Sequence, residues 1–251
     1  MLLSIEQATV PGRLQAFSAQ VKSGDLVHLL GPNGAGKSSL LARLAGLLPG
    51  AGVVRLIGRP LEGWPRAALA RRRAWLPQQQ QQLGQMAVFH YLQQHLIGAK
   101  PGQDMLLSRL LAAFQLHDKL TRSLSQLSGG EWQRVRLMAV LLQVWPCVAQ
   151  PATLLLLDEP YAGLDVVQQQ ALDRELTAFC EAGGAVITSG HDVNHSLRHA
   201  RDVWLMQQGK VIRQGRAEAV LQPDTLRMLY GLTFRKLQSE GESWLVAEEA
   251  R

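Results

Sequence analysis

Short runs rich in Leu, Val and Ile alternate along the chain with longer segments that have helical spacing. Four of these runs lack the two-residue alternation of a half-exposed strand: Leu26–Leu30, Leu154–Leu157, Ala185–Thr188 and Val203–Met206. Continuous apolarity is typical of parallel strands that are covered by helices on both faces. The pattern therefore predicts an α/β domain with a mostly parallel central sheet and flanking helices.

The middle of the chain follows a different pattern. Strand-like runs are absent between about residues 79 and 150, and three segments there have helical spacing: Val88–Leu96, Met105–Leu116 and Trp132–Val144. We interpret residues 79–150 as a helical subdomain inserted into a core made of residues 1–78 and 151–225. Residues 210–215 predict a short strand and turn, followed by a helical stretch and then an irregular C-terminal tail, taken as residues 226–251.

Composition narrows the class of protein. The chain has 251 residues, of which 47% are hydrophobic and 18% charged, so a disordered chain is excluded and a single domain over 1–251 can bury a sizeable core. The net charge of +6 fits nucleic acid, an anionic ligand or a membrane face as partner. Cys147 and Cys180 are too few for a disulfide framework and lack CxxC spacing, so we expect two ordinary buried thiols.

The uncharged stretch Leu137–Leu157 is long enough for a membrane span, which needs roughly 20 apolar residues. Pro146 and Pro151 interrupt it, and each removes a backbone N–H that lipid cannot replace. We expect instead a buried helix end, a loop and a core strand. The N-terminus lacks the basic start and apolar core of a secretory signal, so a soluble, cytosolic protein is expected.

A phosphate-binding loop directly follows the first predicted core strand. Residues 31–38 read Gly-Pro-Asn-Gly-Ala-Gly-Lys-Ser and match GxxxxGK[ST] between a strand and a helix predicted over Ser38–Leu47. The glycines let backbone N–H groups surround a polyphosphate, Lys37 reaches the β- and γ-phosphates, and Ser38 binds Mg²⁺. The predicted nucleotide contacts are Gly31, Pro32, Asn33, Gly34, Ala35, Gly36, Lys37, Ser38 and Ser39.

Two adjacent carboxylates end the strand predicted over Leu154–Leu157. At such a strand end Asp158 is suited to hold Mg²⁺ through water, and Glu159 is suited to deprotonate the attacking water as general base. A lone Asp-Glu pair is more often a helix cap or a solvated turn. The phosphate loop in the same chain favours the catalytic interpretation.

A second glycine-containing anion site is predicted at Leu127-Ser-Gly-Gly-Glu-Trp-Gln133, which resembles the signature motif of ABC ATPases. Ser128 supplies a hydroxyl, and Gly129 and Gly130 open the backbone at the start of a helix predicted over Glu131–Val144. A capping box between Ser128 and Glu131 explains the same residues structurally and is compatible with binding. In ABC ATPases the signature closes on the nucleotide of the other subunit, so the resemblance implies a second copy as partner.

Three further positions match the ABC ATPase pattern. Gln78, at the start of the glutamine run 78–82, resembles the Q-loop glutamine that contacts Mg²⁺ and water and senses the membrane partner. His191, in Thr-Ser-Gly-His-Asp, resembles the switch histidine that binds the γ-phosphate, and Asp165 resembles the D-loop aspartate at the dimer seam. The resemblance thus implies ATP and Mg²⁺ as cofactors, with Glu159, His191, Lys37 and Gln78 as catalytic residues, and Ser38, Gln78 and Asp158 as metal contacts.

Two other patterns have plainer explanations. His191, His195 and His199 recur every four residues and would share one helix face, as in some metal sites. Because no recognisable metal motif joins them, we favour phosphate contact for His191 and surface or subdomain contacts for the other two. The basic run 71–73 reads as a solvated helix end, although its place before Gln78 leaves a partner contact open.

The adenine site departs from the ABC ATPase pattern, because no aromatic residue stands near the end of the first strand, where residues 8–12 read Ala-Thr-Val-Pro-Gly. Either aliphatic groups such as Val10 and Leu14 pack on adenine, or the correspondence is off by a few residues there. Ser39 stands where many members have Thr, a mild change.

The resemblance covers about residues 26–215 and implies a P-loop NTPase fold, with a RecA-like core and an N-terminal antiparallel β part. The segments around His117, Ser128 and His191 resemble the ATP-binding subunits of bacterial vitamin B12 (cobalamin) importers. That implies an ATPase on the cytoplasmic face of the inner membrane, with two permease subunits, indirectly a periplasmic binding protein, and no nucleic acid. The alternatives are an iron-siderophore or haem importer, a soluble non-transport ABC ATPase, and a catalytically silent scaffold, against which the intact motifs argue.

Overall fold

The computed structural model describes residues 1–79, 84–96 and 102–248, so residues 80–82 of the glutamine run lie outside the described residues. In chain order the strands are β1 (Leu3–Val10), β2 (Leu14–Val21), β3 (Leu26–Leu30), β4 (Val53–Leu56), β5 (Arg59–Pro60), β6 (Arg73–Leu76), β7 (Leu154–Leu157), β8 (Ala185–Gly190), β9 (Asp202–Gln207), β10 (Lys210–Arg216), β11 (Phe234–Ser239) and β12 (Glu242–Ala247). The helices are α1 (Lys37–Leu44), α2 (Arg66–Arg72), α3 (Val88–His95), α4 (Gln103–Ala113), α5 (Gly129–Val144), α6 (Val166–Glu181), α7 (Val193–His199), α8 (Ala217–Val220) and α9 (Pro223–Tyr230).

The central sheet has six strands in the order β10-β9-β3-β8-β7-β6. All neighbouring pairs are parallel except β9 and β10, which form an antiparallel edge. The four predicted core strands are confirmed, with β8 and β9 each two residues longer than expected. Every residue of β3 and β7 is buried, as strands between two helical layers require. An N-terminal antiparallel sheet in the order β2-β1-β4-β5 accompanies it.

Strand β6 is absent from the prediction. Its four residues alternate between partly exposed and buried, and the strand lies at the sheet edge. It also follows the basic end of α2 directly, so the sequence shows no separate apolar run there. The expectation that residues 71–73 are a solvated helix end therefore holds only in part: Arg71 is exposed, Arg72 ends α2, and Arg73 already belongs to β6. Arg72 also donates from Nη1 to the Ala152 carbonyl oxygen at 3.3 Å.

The predicted helical segments of residues 79–150 are α3, α4 and α5. The long helix α5 is buried along most of its length and joins one apolar cluster with the sheet and α6. A second cluster fills the opposite face of the sheet, around α1 and the N-terminal strands. Within the described residues no helix is long and apolar enough to cross a membrane. The stretch Leu137–Leu157 is the end of α5, a loop and β7, as predicted.

The irregular tail is a wrong prediction. Leu226 is buried in α9, and residues 234–247 form the antiparallel hairpin β11-β12. Most side chains of the hairpin are exposed, including apolar Leu237 and Val246, and its apolar run is limited to residues 244–247, so backbone pairing holds the two strands together. Leu245 is its one residue in a buried core cluster, beside α8 and α9.

The two cysteines differ in burial. Cys180 in α6 is buried, and burial raises the pKa of its thiol to about 12, which keeps it protonated and unreactive. Cys147 is only partly buried, because it lies in the loop after α5. The expectation of two buried thiols therefore holds for Cys180 alone.

Candidate active site

The phosphate loop connects β3 to α1. Gly36 is the N-cap of α1 with φ 100°, in the region that L side chains rarely adopt, and a Cβ at Gly31 would lie 2.2 Å from the Met206 carbonyl oxygen. Both positions therefore need glycine. Asn33, Gly34 and Ser38 are exposed, whereas Ala35 is buried beneath the loop. The loop thus presents backbone and the Ser38 side chain to solvent at the positive end of a helix.

Lys37 lies under this loop and is 6% exposed. Its Nζ donates to the carbonyl oxygens of Gly31 at 2.7 Å and Pro32 at 3.2 Å. Burial lowers the pKa of Lys37, and the carboxylates of Glu159 and Asp158 oppose that shift. The ammonium group is therefore held within the loop, close to both acids.

One hydroxyl on the neighbouring strand positions both acids. Ser189 of β8 donates from Oγ to Asp158 Oδ1 at 2.6 Å and accepts from the Glu159 N–H at 2.9 Å. Asp158 is 2% exposed, while Glu159 has φ 50°, a left-handed backbone that turns its side chain out of the strand line. Sequence reasoning missed Ser189. The sequence feature that could have identified Ser189 is its position two residues before His191, near the carboxyl end of a parallel strand.

Glu159 is the meeting point of the predicted catalytic residues. Its Oε2 accepts a hydrogen bond from Gln78 Nε2 at 2.8 Å, and its Oε1 lies 2.7 Å from His191 Nε2. Gln78 follows β6 and His191 follows β8. Because these strands are parallel, both loops lie at the carboxyl ends of the strands, on the same side of the sheet. Burial alone would raise the pKa of Glu159, but the contacts with His191, Gln78 and Lys37 outweigh it and lower the pKa overall. The carboxylate is ionised at neutral pH.

Helix α5 holds both loops that flank the sheet edge. Gln133 Nε2 donates to the Pro160 carbonyl oxygen at 2.9 Å, directly after Glu159. Arg136 donates to the Pro77 carbonyl oxygen, directly before Gln78, and to Gln133 Oε1 at 2.9 Å. Sequence reasoning missed these two polar residues, although buried polar groups on a mostly apolar helix, Arg134 among them, are the signal. The helical region and the site residues are thereby joined by hydrogen bonds.

The signature segment and Asp165 are both helix starts that face solvent. Ser128 caps α5 in a capping box with Glu131, and Asp165 caps α6 in one with Gln168. A Cβ at Gly130 would lie 2.9 Å from the Gly163 carbonyl oxygen, so the two segments touch. The structural explanation of Ser128 is thus present, while Ser128, Gly129 and Asp165 remain exposed. Val166 and Val167 beside them are 70% and 60% exposed.

The three histidines do not share one helix face. His191 precedes α7 and contacts Glu159, whereas His195 and His199 lie on α7 and face Asp173 of α6. Asp192 caps α7 between them, accepting from the backbone N–H of Asn194 and His195. The preference for separate roles agrees with this geometry.

The two suggested aliphatic adenine contacts are each only 5% exposed and belong to a core cluster. Leu14 nevertheless lines a pocket beside the phosphate loop, whereas Val10 is not among its lining residues. The same pocket is lined by exposed Arg13 of the β1-β2 turn and by Gly36, Ser39 and Gln208.

Comparison with protein families places residues 14–162 in the family described as ABC transporter. The chain is 50% identical over 247 residues to the vitamin B12 import ATP-binding protein BtuD of Salmonella typhimurium, and 47% identical over 247 residues to that of Escherichia coli, with 98% of each chain covered. The relative in Citrobacter koseri is 50% identical over 246 residues.

Solved structures share the fold. The ATP-binding subunit of an ABC transporter superposes with a TM-score of 0.79 at 23% identity, covering 92% of this chain and 94% of the other. A dimeric bacterial ABC transporter cassette gives 0.73 at 21% identity, over 86% and 99%. A metal-chelate type ABC transporter in an inward-facing conformation gives 0.78 at 20% identity, over 99% and 98%.

Proposed function

The chain belongs to the ABC transporter family as an ATP-hydrolysing, ATP-binding subunit, and from this premise we propose that it drives vitamin B12 import through a membrane permease. The observation that carries the choice of substrate is the 50% identity to vitamin B12 import proteins over nearly the whole chain. The site geometry supports the hydrolytic part independently, because the residues expected around a γ-phosphate meet at one sheet edge.

ATP binds with its phosphates along Gly31–Ser38. Lys37 is buried and bound to two carbonyl oxygens of the loop, so it is already placed to exchange them for phosphate oxygens. The exposed Ser38 hydroxyl, the Gln78 amide and the buried Asp158 carboxylate are oxygen donors of the kind that Mg²⁺ prefers. When bound there, Mg²⁺ would neutralise charge on the β- and γ-phosphates.

Glu159 takes the proton of the attacking water. Its carboxylate is ionised and held by Gln78 and His191, so it needs no proton loss before it acts as base. His191 is 48% exposed at the open side of the site, where it can exchange Glu159 for a γ-phosphate oxygen. Ser189 fixes Asp158 and the Glu159 backbone while these side chains exchange partners.

A second copy completes each site. Ser128 and Gly129 are exposed and Gly130 is partly exposed at the start of α5, where the positive end of the helix suits a phosphate from outside the chain. The exposed Val166 and Val167 next to Asp165 are apolar surface that a partner would bury. The dimer of a related bacterial cassette supports this arrangement for the fold.

The permease subunits would sit against the helical region on the cytoplasmic face of the membrane, with a periplasmic binding protein delivering cobalamin. The Arg136 hydrogen bond to Pro77 gives the mechanical route, because it ties α5 to the loop that carries Gln78. Glu159 contacts Gln78 in that loop. Hydrolysis of the nucleotide beside Glu159 would therefore shift the loop and, through α5, the surface that the permease would contact.

Arg13 takes the place of the missing aromatic residue. It lies in the pocket that borders Gly36 and Ser39, and a planar guanidinium group can stack on a purine ring. The buried Val10 and Leu14 support this turn from below.

The dimer proposal is tested by mixing two inactive variants. Lys37→Ala disables the phosphate loop and Ser128→Arg disables the signature, so neither variant alone should hydrolyse ATP. In a mixed dimer one site has both defects and the other has none. With random pairing, about a quarter of wild-type turnover should return. Absence of recovery, or full activity of Ser128→Arg alone, would show that the sites are not shared.

The substrate proposal is tested in vesicles that contain the co-purified permease and its binding protein. Cobalamin should stimulate ATP hydrolysis, whereas ferric siderophore and haem should not. Stimulation by an iron chelate alone would reassign the importer while leaving the ATPase mechanism intact. Glu159→Gln vesicles are the matched control for hydrolysis by other proteins.

A further inference from the structure

A histidine and carboxylate cluster outside the nucleotide site joins α6 to α7. Asp173 of α6 faces two histidines one turn apart on α7. His195 Nε2 lies 3.0 Å from Asp173 Oδ1 and 3.1 Å from Oδ2, and His199 Nε2 lies 3.7 Å from Oδ2. The ligand atoms of the three residues all lie within 4.8 Å of one another.

We propose that Asp173, His195 and His199 form a binding site for a transition-metal ion, with Zn²⁺ as the expected occupant. Zinc binds imidazole nitrogen and carboxylate oxygen at about 2.0–2.2 Å in tetrahedral geometry, which separates neighbouring ligand atoms by roughly 3.3 Å. The distances from Asp173 Oδ2 to His195 Nε2 and to His199 Nε2, 3.1 and 3.7 Å, lie on either side of that value. Two imidazoles at i and i+4 with one carboxylate make a set that hard cations such as Mg²⁺ do not favour.

The surroundings orient these ligands. Tyr161 donates from its hydroxyl to Asp173 Oδ1 at 2.6 Å, which fixes the carboxylate as outer contacts of metal sites do. The His195 ring is stacked between the rings of His28 and His199, with centroids 5.6 and 4.6 Å away.

The cluster is accessible from one side. An open pocket is lined by all three ligands together with Val166, Gln169 and Arg198. Arg198 is directed to the C-terminal hairpin, where its guanidinium lies 4.6 Å from the Trp244 ring centroid. An ion can therefore enter and keep water as a fourth ligand. It would fix α6, which follows Asp165, to α7, which follows His191.

The test is a zinc titration of the full-length, tag-free protein, stripped with chelator and assayed without nucleotide in excess Mg²⁺. A chromophoric zinc indicator as competitor should report one Zn²⁺ per chain. His199→Gln should weaken binding roughly tenfold or more, while His117→Gln, an exposed histidine elsewhere, should not change it. Asp173→Asn keeps an oxygen for Tyr161 and is the second variant, checked for folding by circular dichroism.

Two results would overturn the proposal. One is a wild-type protein that binds Zn²⁺ no more tightly than the folded His199→Gln variant does. The other is an unchanged visible spectrum of bound Co²⁺ when Asp173 or His199 is replaced, because a four-coordinate site must lose its spectrum with a ligand. Both results leave the ATPase proposal untouched, since none of the three ligands contacts Lys37, Asp158 or Glu159.

Discussion

We expect the substitution Glu159→Gln to separate the binding of ATP from its hydrolysis. The substitution keeps the size of the side chain and removes its negative charge and its ability to take a proton. In the structure the carboxylate contacts both Gln78 Nε2 and His191 Nε2. An amide offers one accepting oxygen and one donating N–H₂ group, so one of the two contacts must re-form with its donor and acceptor reversed, at a cost of about 1 kcal/mol or less at this partly exposed position.

The effect on turnover is much larger than the effect on stability. General base catalysis contributes typically 10²- to 10⁴-fold, which corresponds to about 3 to 5 kcal/mol of activation free energy. Lys37 and the phosphate loop are unchanged, so ATP affinity should stay near wild type and ATP-bound dimers should accumulate. Because the pKa of Glu159 is lowered by its contacts with His191, Gln78 and Lys37, the carboxylate stays ionised at neutral pH, and the defect should be equally large from pH 6 to 8.

The assay is steady-state ATP hydrolysis combined with size-exclusion chromatography in MgATP. The matched control is Glu181→Gln, which removes a carboxylate at the exposed end of α6 and should hydrolyse ATP normally. Turnover of Glu159→Gln within tenfold of wild type would refute the assignment of the base. Loss of ATP binding would refute the view that Glu159 acts only after binding.

Three further predictions concern residues outside the motifs. Arg13→Ala should raise the Kd for ATP about 3- to 10-fold in calorimetry with less effect on the binding of inorganic triphosphate, and equal effects on both would contradict stacking. Arg136→Met leaves the acceptors at Pro77 and Gln133 without their donor and should cost about 2 to 4 kcal/mol in thermal unfolding, against little change for exposed Arg122→Met. His28 has a pKa of about 3 when folded and 6.5 as its ordinary value, so the unfolded chain binds the extra proton and stability falls as pH drops from 6.5 towards 3. His28→Asn should remove a pH dependence on the order of 4 kcal/mol, and identical pH profiles of the melting temperatures would contradict this.

The sequence predicted those elements whose burial is uniform. Strands β3, β7, β8 and β9 are apolar because helices cover both faces, and this pattern is readable in one chain. Strand β6 and the hairpin β11-β12 were missed because each is partly solvated and depends on pairing with residues far along the chain or across a turn. The periodicity of neighbouring residues does not indicate which distant segment a strand pairs with.

The motifs of the site were equally local and therefore visible. Gln78, Glu159 and His191 stand in separate loops, yet the order of strands in a parallel sheet brings them together. The polar residues that support them were not visible. Ser189 and Arg136 act through hydrogen bonds to backbone atoms and a side chain that lie 30 to 59 residues away along the chain, and a serine or arginine in isolation has many other uses.

Two hydrogen bonds between the Asn194 side chain and the backbone of Leu245 join the C-terminal hairpin to α7, the helix that follows His191. The Asn194 side chain donates to the Leu245 carbonyl oxygen at 2.9 Å and accepts from its N–H at 2.7 Å, only three residues after His191. A fluorescent reporter attached after β12 would therefore follow a strand that is hydrogen-bonded to α7, the helix that begins two residues after His191. Such a fusion offers a real-time readout of the ATP cycle, without any label in the nucleotide site itself.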